Sequence, residues 1–140
     1  LEEKIEKDAF VNNEWNGDDW ELFFAEQRNS SSKQIGIFPD GKMICYEYIY
    51  NGDGGAAQHL WKDNSILLKS TNENGLWQAK MAIPLNSLVP DGFRFGKNYF
   101  MNIYRSTRRP QGGESLCISP TLNSGNYKDL TRAAVIKLVK

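Results

Sequence analysis

The sequence lacks the features that attract nucleic acid or a membrane. Its 140 residues carry 17 Lys and Arg against 17 Asp and Glu, which gives a formal net charge of +0. A chain without net charge has no global field that would draw in a polyanion or an anionic lipid surface. The longest apolar runs, such as Ile66-Leu67-Leu68, fall far short of the about 20 residues that a membrane-spanning helix needs. We therefore expect no nucleic-acid partner and no membrane insertion. Because 140 residues is close to the usual size of one domain, we also expect a single domain over residues 1–140.

Cysteine is scarce, and its two copies are Cys45 and Cys117, both in strand-like surroundings. Neither belongs to a Cys-x-x-Cys pair or has a histidine close to it in sequence, so the pattern does not indicate a zinc site. Free cysteine is a common small core residue, whereas a disulfide needs an oxidising compartment. We expect two buried free thiols, and a disulfide between them is the alternative.

Residues for enzyme chemistry are few. His59 is the only histidine, and the chain contains no Gly-x-Ser-x-Gly turn for a nucleophile. Asp19 and Glu21 share one face of a predicted strand, where they would lie side by side. The acid and the nucleophile of a glycosidase must instead flank the sugar from two sides. We predict no catalytic residues and no enzyme activity, with a small glycan hydrolase as one alternative.

Short periodic segments separated by turn residues recur along the whole chain. Alternating patterns predict strands near Trp20–Glu26, Lys33–Phe38, Lys42–Tyr50, Ser65–Ser70, Gly75–Ile83, Lys97–Arg105, Ser115–Ser119 and Ala133–Val139. Pro39-Asp40-Gly41 and Asn72-Glu73-Asn74-Gly75 are typical of hairpin turns. Only Pro84–Leu88 suits a helix, and it allows a single turn. The spacing predicts an all-β sandwich or barrel, mostly antiparallel, with at most one short helical turn.

Aromatic residues are plentiful, with 4 Trp, 6 Tyr and 7 Phe. Trp20, Trp77 and Phe100 fall within strand patterns, and we expect all three in the core. Trp15 and Tyr127 instead lie in polar segments rich in turn residues. A loop aromatic can stack on the apolar C–H face of a sugar ring. The alternative is that both rings only cover the end of the sandwich.

Several segments resemble, in order, the motifs of family 9 carbohydrate-binding modules. Trp15-Asn16-Gly17-Asp18-Asp19-Trp20-Glu21-Leu22-Phe23 is similar to the tryptophan motif that opens a strand in that family. The segments 75–85, with its Gly-x-Trp and Ile-Pro, and 100–105, Phe-Met-Asn-Ile-Tyr-Arg, resemble later family strands. Ile118-Ser119-Pro120 and 126–129 resemble the closing serine-rich strand and its aromatic loop. The resemblance covers most of the chain from Trp15 onward.

The resemblance implies a β-sandwich, jelly-roll-like or immunoglobulin-like, that clamps one sugar unit of an oligosaccharide or polysaccharide between two aromatic rings. Trp15 and Tyr127 match the clamp positions, and Glu21 matches a strand carboxylate that bonds sugar hydroxyls. Arg105 is added from its strand position, because a guanidinium is a fork-shaped donor for neighbouring hydroxyls. For Glu21 a charge on the solvent face is the alternative, and for Arg105 a surface ion pair.

The resemblance also implies an extracellular or periplasmic protein. Family members begin with further strands ahead of the tryptophan motif, and nothing before Trp15 is similar to them. Missing strands leave unpaired sheet edges, so we expect another segment or chain to complete the sheet. The chain would then be a fragment or a shortened variant.

No cofactor is expected, and two weaker possibilities concern bound groups. Asp53 lies in the loose segment 51–57, which suggests calcium as a structural ion, but its spacing does not fit an EF-hand and favours a solvated loop. A haem-binding redox sandwich of the DOMON type would use Met and His ligands. His59 and the methionines supply those residue types; the methionines are Met43, Met81 and Met101. The core pattern of Met81 and Met101, and a sole histidine in a different segment, disfavour this alternative.

Overall fold

A computed structural model describes residues 2–4, 11, 14–28, 30–50, 56–107, 114–117, 130–131 and 133–139. These residues form ten strands, one short helix and a turn of 3-10 helix at Glu14–Asn16. The strands and the helix are β1 (Glu2–Lys4), β2 (Asp19–Ala25), β3 (Ser32–Ile37), β4 (Met43–Tyr50), β5 (Ala56–Leu60), β6 (Leu67–Glu73), β7 (Leu76–Ala82), α1 (Leu85–Leu88), β8 (Asn98–Thr107), β9 (Glu114–Cys117) and β10 (Ala134–Lys137).

The strands form two antiparallel sheets. The larger sheet has seven strands in the order β10-β8-β2-β3-β4-β5, and β9 pairs with the second half of β8. The smaller sheet has the order β1-β7-β6. This arrangement confirms the predicted all-β, mostly antiparallel, sandwich-like fold, and α1 matches the predicted helical turn. In the described part of the chain, no helix has the length and apolar character needed to cross a membrane.

The interior of the sandwich follows from the alternation along β2. Trp20 and Leu22 face the smaller sheet, and the Trp20 ring centroid lies 6.1 Å from that of Trp77 on β7. Trp77 is fully buried and Trp20 is 3% exposed, which confirms both as core residues. The buried members of this interior cluster are Trp20, Ile35, Ile37, Cys45, Ile66, Trp77 and Ala79. Phe100, also predicted in the core, is half-buried and packs against a second cluster on the opposite face of the larger sheet.

Both predicted hairpin turns are present. Gly41 adopts a φ of 84°, and its N–H donates to the Phe38 carbonyl at 3.0 Å, which closes the turn between β3 and β4. Asn74 and Gly75 have φ values of 54° and 70° and join β6 to β7. Two successive residues with positive φ are characteristic of the type I′ hairpin turn that matches the twist of paired strands.

Two strands have no counterpart in the sequence prediction. β1 carries only the charged residues Glu2-Glu3-Lys4 and pairs with β7, so at least one strand precedes Trp15. β5 is nearly all exposed at the edge of the larger sheet, so its sequence shows no alternation of buried and exposed positions. Strands held mainly by backbone pairing leave little trace in a hydrophobic pattern. Completion of the sheet by another segment or chain stays a prediction.

Cys45 is a buried free thiol, as predicted. The backbone of Cys117 lies in β9, and β8, β2 and β3 separate that strand from the β4 strand of Cys45. Four strand spacings amount to roughly 19 Å, whereas the Cα atoms of a disulfide lie within about 7 Å. Burial, with a smaller contribution from the charge of Asp63, raises the pKa of the Cys45 thiol from 9.0 to about 11.

We expect Cys45 to be unreactive in the folded chain. A Cys117→Ser variant leaves Cys45 as the only thiol. Because the raised pKa keeps that thiol protonated, it should react with iodoacetamide at pH 8 at least about a hundredfold more slowly in the folded chain than in urea. The contribution of this thiol to stability is present below pH 9.0 and is lost as the pH rises through about 11. Equal rates in folded and unfolded chains would contradict the burial.

Candidate functional site

Strand register places a polar surface on the side of the larger sheet that faces away from the smaller sheet. Glu21 on β2 lies between Gly36 of β3 and Tyr104 of β8, and residues directly opposite one another point to the same side. We call this side the outer face. Its residues on the four central strands include Asp19, Glu21, Phe23, Ser32, Gln34, Gly36, Tyr46, Tyr48, Asn102 and Tyr104.

A chain of side-chain hydrogen bonds fixes Glu21 on this face. The Tyr48 hydroxyl donates to Gln34 Oε1 at 2.6 Å, and Gln34 Nε2 donates to Glu21 Oε2. Glu21 and Gln34 are each 4% exposed, so Glu21 is not a charge on an open solvent face. A buried carboxylate with a defined donor keeps one orientation and needs little reorganisation when a ligand hydroxyl approaches.

Trp15 lies on the same face. The 3-10 turn at Glu14–Asn16 carries the ring over Gly36, where a Cβ atom would fall 2.3 Å from Trp15 Cη2. The ring meets Phe38 edge-on at 5.1 Å between centroids, and it lies at 27° to Tyr46 at 6.4 Å. Gly36 is the direct neighbour of Glu21 across the β2–β3 pair. The structure therefore brings Trp15 and Glu21 together, and the ring of Trp15 is half-buried.

Tyr127, the second predicted clamp residue, lies outside the described residues. Three residues later in the sequence, Leu130 is buried in the outer-face cluster with Phe23 and Tyr48. Arg28 also binds the backbone at Leu130 and after it. Its Nη1 donates to the carbonyls of Leu130 at 3.2 Å, Thr131 at 2.6 Å and Ala133 at 3.0 Å. Leu130, three residues after Tyr127 in the sequence, is thus anchored on the outer face.

Arg105 lies on the other side of the sheet. It is paired with Trp20, so it points into the sandwich interior, where it is 1% exposed. Its Nη2 forms an ion pair with Asp18 at 3.0 Å, and its guanidinium carbon lies 4.8 Å from the ring centroid of Trp77. The structure does not bring Arg105 together with Trp15 and Glu21 on the outer face. The alternative for Arg105 is a surface ion pair. The structure shows an ion pair, but it is buried in the interior and not at the surface.

Sequence reasoning missed Gln34 and three tyrosines of the outer face. Tyr46 and Tyr48 lie two residues apart on β4 and therefore point to the same side of the sheet. On β8, Asn102 Nδ2 donates to the Tyr104 hydroxyl at 3.1 Å. Alternation in each strand could have separated the two faces. The register between strands, which aligns Gln34 with Tyr46 and with Phe23, could not be read from the sequence.

The candidate ligands for a metal ion or haem lie partly inside and partly outside the described residues. Among them, no three His, Cys, Asp or Glu side chains form a group that could hold a metal ion. His59 is exposed on edge strand β5, whereas Met43 and Met81 pack against the interior cluster. Asp53, the candidate calcium ligand, lies outside the described residues. Calcium as a structural ion stays a prediction.

No model of a known protein family matches the sequence, and no curated protein matches it. One solved structure is similar over 97% of this chain and 67% of its own, with a TM-score of 0.69 at 13% sequence identity. It is the crystal structure of "a putative carbohydrate-binding protein" from Bacteroides uniformis ATCC 8492. At this identity the likeness shows a shared fold. The narrower resemblance to family 9 modules stays a prediction.

Proposed function

We propose that this chain binds a glycan without catalysis, and that the binding surface is the part of the outer face around Trp15 and Glu21. The observation that carries the proposal is the position of the Trp15 ring over Gly36, the residue that pairs with Glu21 on the neighbouring strand. The fold shared with the protein named for carbohydrate binding supports it. The partner is an oligosaccharide or polysaccharide, and an extracellular or periplasmic location accords with such a partner.

The residue types suit a sugar ring. Trp15 is only half-buried, and an indole ring can stack on the C–H groups of a pyranose. Its contacts with Gly36, Phe38 and Tyr46 hold the ring in place. The residue type of Glu21 suits sugar hydroxyls, because carboxylate oxygens accept hydrogen bonds from hydroxyl groups.

Tyr127 completes the proposed clamp as the second ring. Its assignment rests on the family resemblance and on its place in the sequence just before Leu130, which packs on the outer face. A ring on each side of one sugar unit would restrict the site to a single pyranose between them. Tyr127→Ala should then weaken sugar binding in the same way as loss of the first ring.

Loss of the Trp15 ring tests the proposal directly. In calorimetric titrations with soluble oligosaccharides of glucose, xylose, mannose and galactose, Trp15→Ala should weaken the binding of whichever sugar the wild type takes. The expected loss is about 1–3 kcal/mol, or about 5- to 150-fold in Kd. Trp61→Ala is the matched control, since Trp61 is also half-buried but packs against the interior cluster.

An unchanged affinity in Trp15→Ala, or an equal loss in Trp61→Ala, would contradict the proposed site. Binding without catalysis is checked in the same samples. The oligosaccharide should be recovered intact after long incubation, because Asp19 and Glu21 are neighbours on one strand and cannot flank a glycosidic bond.

A further inference from the structure

A buried ion pair lies directly behind the turn that carries Trp15. Asp18 follows the turn and precedes the first residue of β2, and its carboxylate is fully buried. It meets Arg105 Nη2 at 3.0 Å inside the sandwich. Arg105 Nη1 donates to the Ser106 carbonyl and, at 3.5 Å, to the carbonyl of Asp19. The guanidinium thus holds both the side chain and the backbone at the point where β2 begins.

The aromatic surroundings fix the guanidinium itself. Its central carbon lies 4.8 Å from the centroid of Trp77 and 5.7 Å from that of Trp20, on the two facing sheets. Cation–π contacts of this kind favour arginine, and its planar fork can bond a carboxylate and a carbonyl at once. Lysine has one compact charge and cannot reproduce both sets of contacts.

A gain in folding stability does not by itself explain why this ion pair is buried. Taking both charges out of water costs free energy, and a well-packed apolar pair of similar volume is often as stable. In some proteins, however, a buried polar or ionic group selects one arrangement of the chain over others. Here the arrangement concerns the turn at Glu14–Asn16, because Asp18 points into the interior while Trp15 lies on the outer face.

We propose that Arg105 is a positioning residue that acts through Asp18 to hold the Trp15 ring over Gly36. The ion pair anchors the turn from inside the sandwich. On the outer face, Gly36 has no side chain and so leaves room for the Trp15 ring. The effect of Arg105 on sugar binding rests on the proposed function, whereas its effect on the position of Trp15 does not.

Fluorine NMR on the full chain labelled with fluorotryptophan tests this inference. The chain has four tryptophans, and Trp15→Phe assigns the resonance of Trp15. Asp18→Asn keeps the volume and one acceptor oxygen at position 18, and Arg105→Lys keeps the charge without the fork. In both variants the Trp15 resonance should move toward that of the unfolded chain and gain a larger solvent isotope shift. Affinity for the oligosaccharide that the wild type binds should fall by about tenfold or more.

Ile66→Ala is the matched control. Ile66 is buried in the interior cluster with Trp20 and Trp77, so its truncation destabilises the same core while both members of the Asp18–Arg105 pair keep their side chains. This variant should lose stability in urea while the Trp15 resonance and the affinity stay at the wild-type values. Such a result separates positioning from a general loss of stability.

Two results would overturn the inference. One is a folded Asp18→Asn or Arg105→Lys protein whose Trp15 resonance and isotope shift equal those of the wild type. The other is an equal displacement of Trp15 in Ile66→Ala. If the wild type binds none of the oligosaccharides, the proposed function fails, and a displaced Trp15 resonance in the two variants still supports positioning by Arg105.

Discussion

Replacing Trp77 with alanine should lower the free energy of unfolding by about 3–5 kcal/mol, the range for truncating a large buried aromatic. Trp77 is fully buried, and its ring contacts Trp20 of the facing sheet at 6.1 Å between centroids. Its indole N–H donates to Ser70 Oγ at 3.0 Å, and Arg105 lies 4.8 Å from its centroid. The substitution therefore removes apolar burial, a hydrogen bond and a cation–π contact together.

Urea unfolding followed by circular dichroism measures this loss as a lower midpoint at an unchanged slope. Trp61→Ala serves as the comparison, because Trp61 is only half-buried and should cost clearly less. A Trp77→Ala protein within about 1 kcal/mol of the wild type would mean that the two sheets do not pack through this residue.

Gly36→Ala should both destabilise the chain and weaken sugar binding. The new Cβ atom would lie 2.3 Å from Trp15 Cη2 and 2.9 Å from Cζ3, so the ring must leave its place. Overpacking of this kind costs about 1–3 kcal/mol. Gly36 is not among the glycines with positive φ, so its backbone conformation does not require glycine, and the three atoms nearest to the added Cβ all belong to the Trp15 ring.

A double-mutant cycle isolates that contact. In a Trp15→Ala background the steric conflict is gone, and Gly36→Ala should become neutral or stabilise the chain by about 0.4–1 kcal/mol, because alanine restricts the unfolded chain. Stability from urea unfolding gives all four corners of the cycle. If Gly36→Ala costs the same with and without the Trp15 side chain, the ring does not lie over Gly36.

Much of the fold could be predicted because local signals agree with it. The alternation that begins at Trp20 assigned opposite faces of β2 to Trp20 and Glu21, and the structure shows this arrangement. The hairpin turns at Gly41 and at Asn74-Gly75 followed from residues that accept positive φ. Each of these features depends on neighbours in sequence, which the sequence displays directly.

The surroundings of Arg105 could not be predicted from local sequence patterns. A charged residue in a strand is usually solvent-exposed, so the sequence favoured a ligand contact or a surface ion pair. Its real surroundings depend on the register of β8 against β2, which places it opposite Trp20 and within reach of Asp18. That register brings together residues 87 positions apart, and no pattern within either strand encodes it.

Only some of the polar residues on the outer face could be predicted from the sequence. Glu21 and Trp15 could be found because both belong to one short motif next to a strong strand pattern. Gln34 and Tyr48 belong to two other strands, and their hydrogen bonds to Glu21 and to each other appear only after the three strands pair. The site is therefore a product of sheet assembly more than of any single motif.

The most direct test of the account is to map a bound sugar on the outer face. Proton–nitrogen NMR correlation spectra of the full chain, recorded with and without a saturating amount of the oligosaccharide found by calorimetry, report which amides and indole N–H groups it affects. We predict the largest shift changes at the Trp15 indole, Glu21, Gln34 and Gly36. Changes confined to Trp61 and β5, with the signals of Trp15 and Glu21 unmoved, would contradict a glycan site on this face.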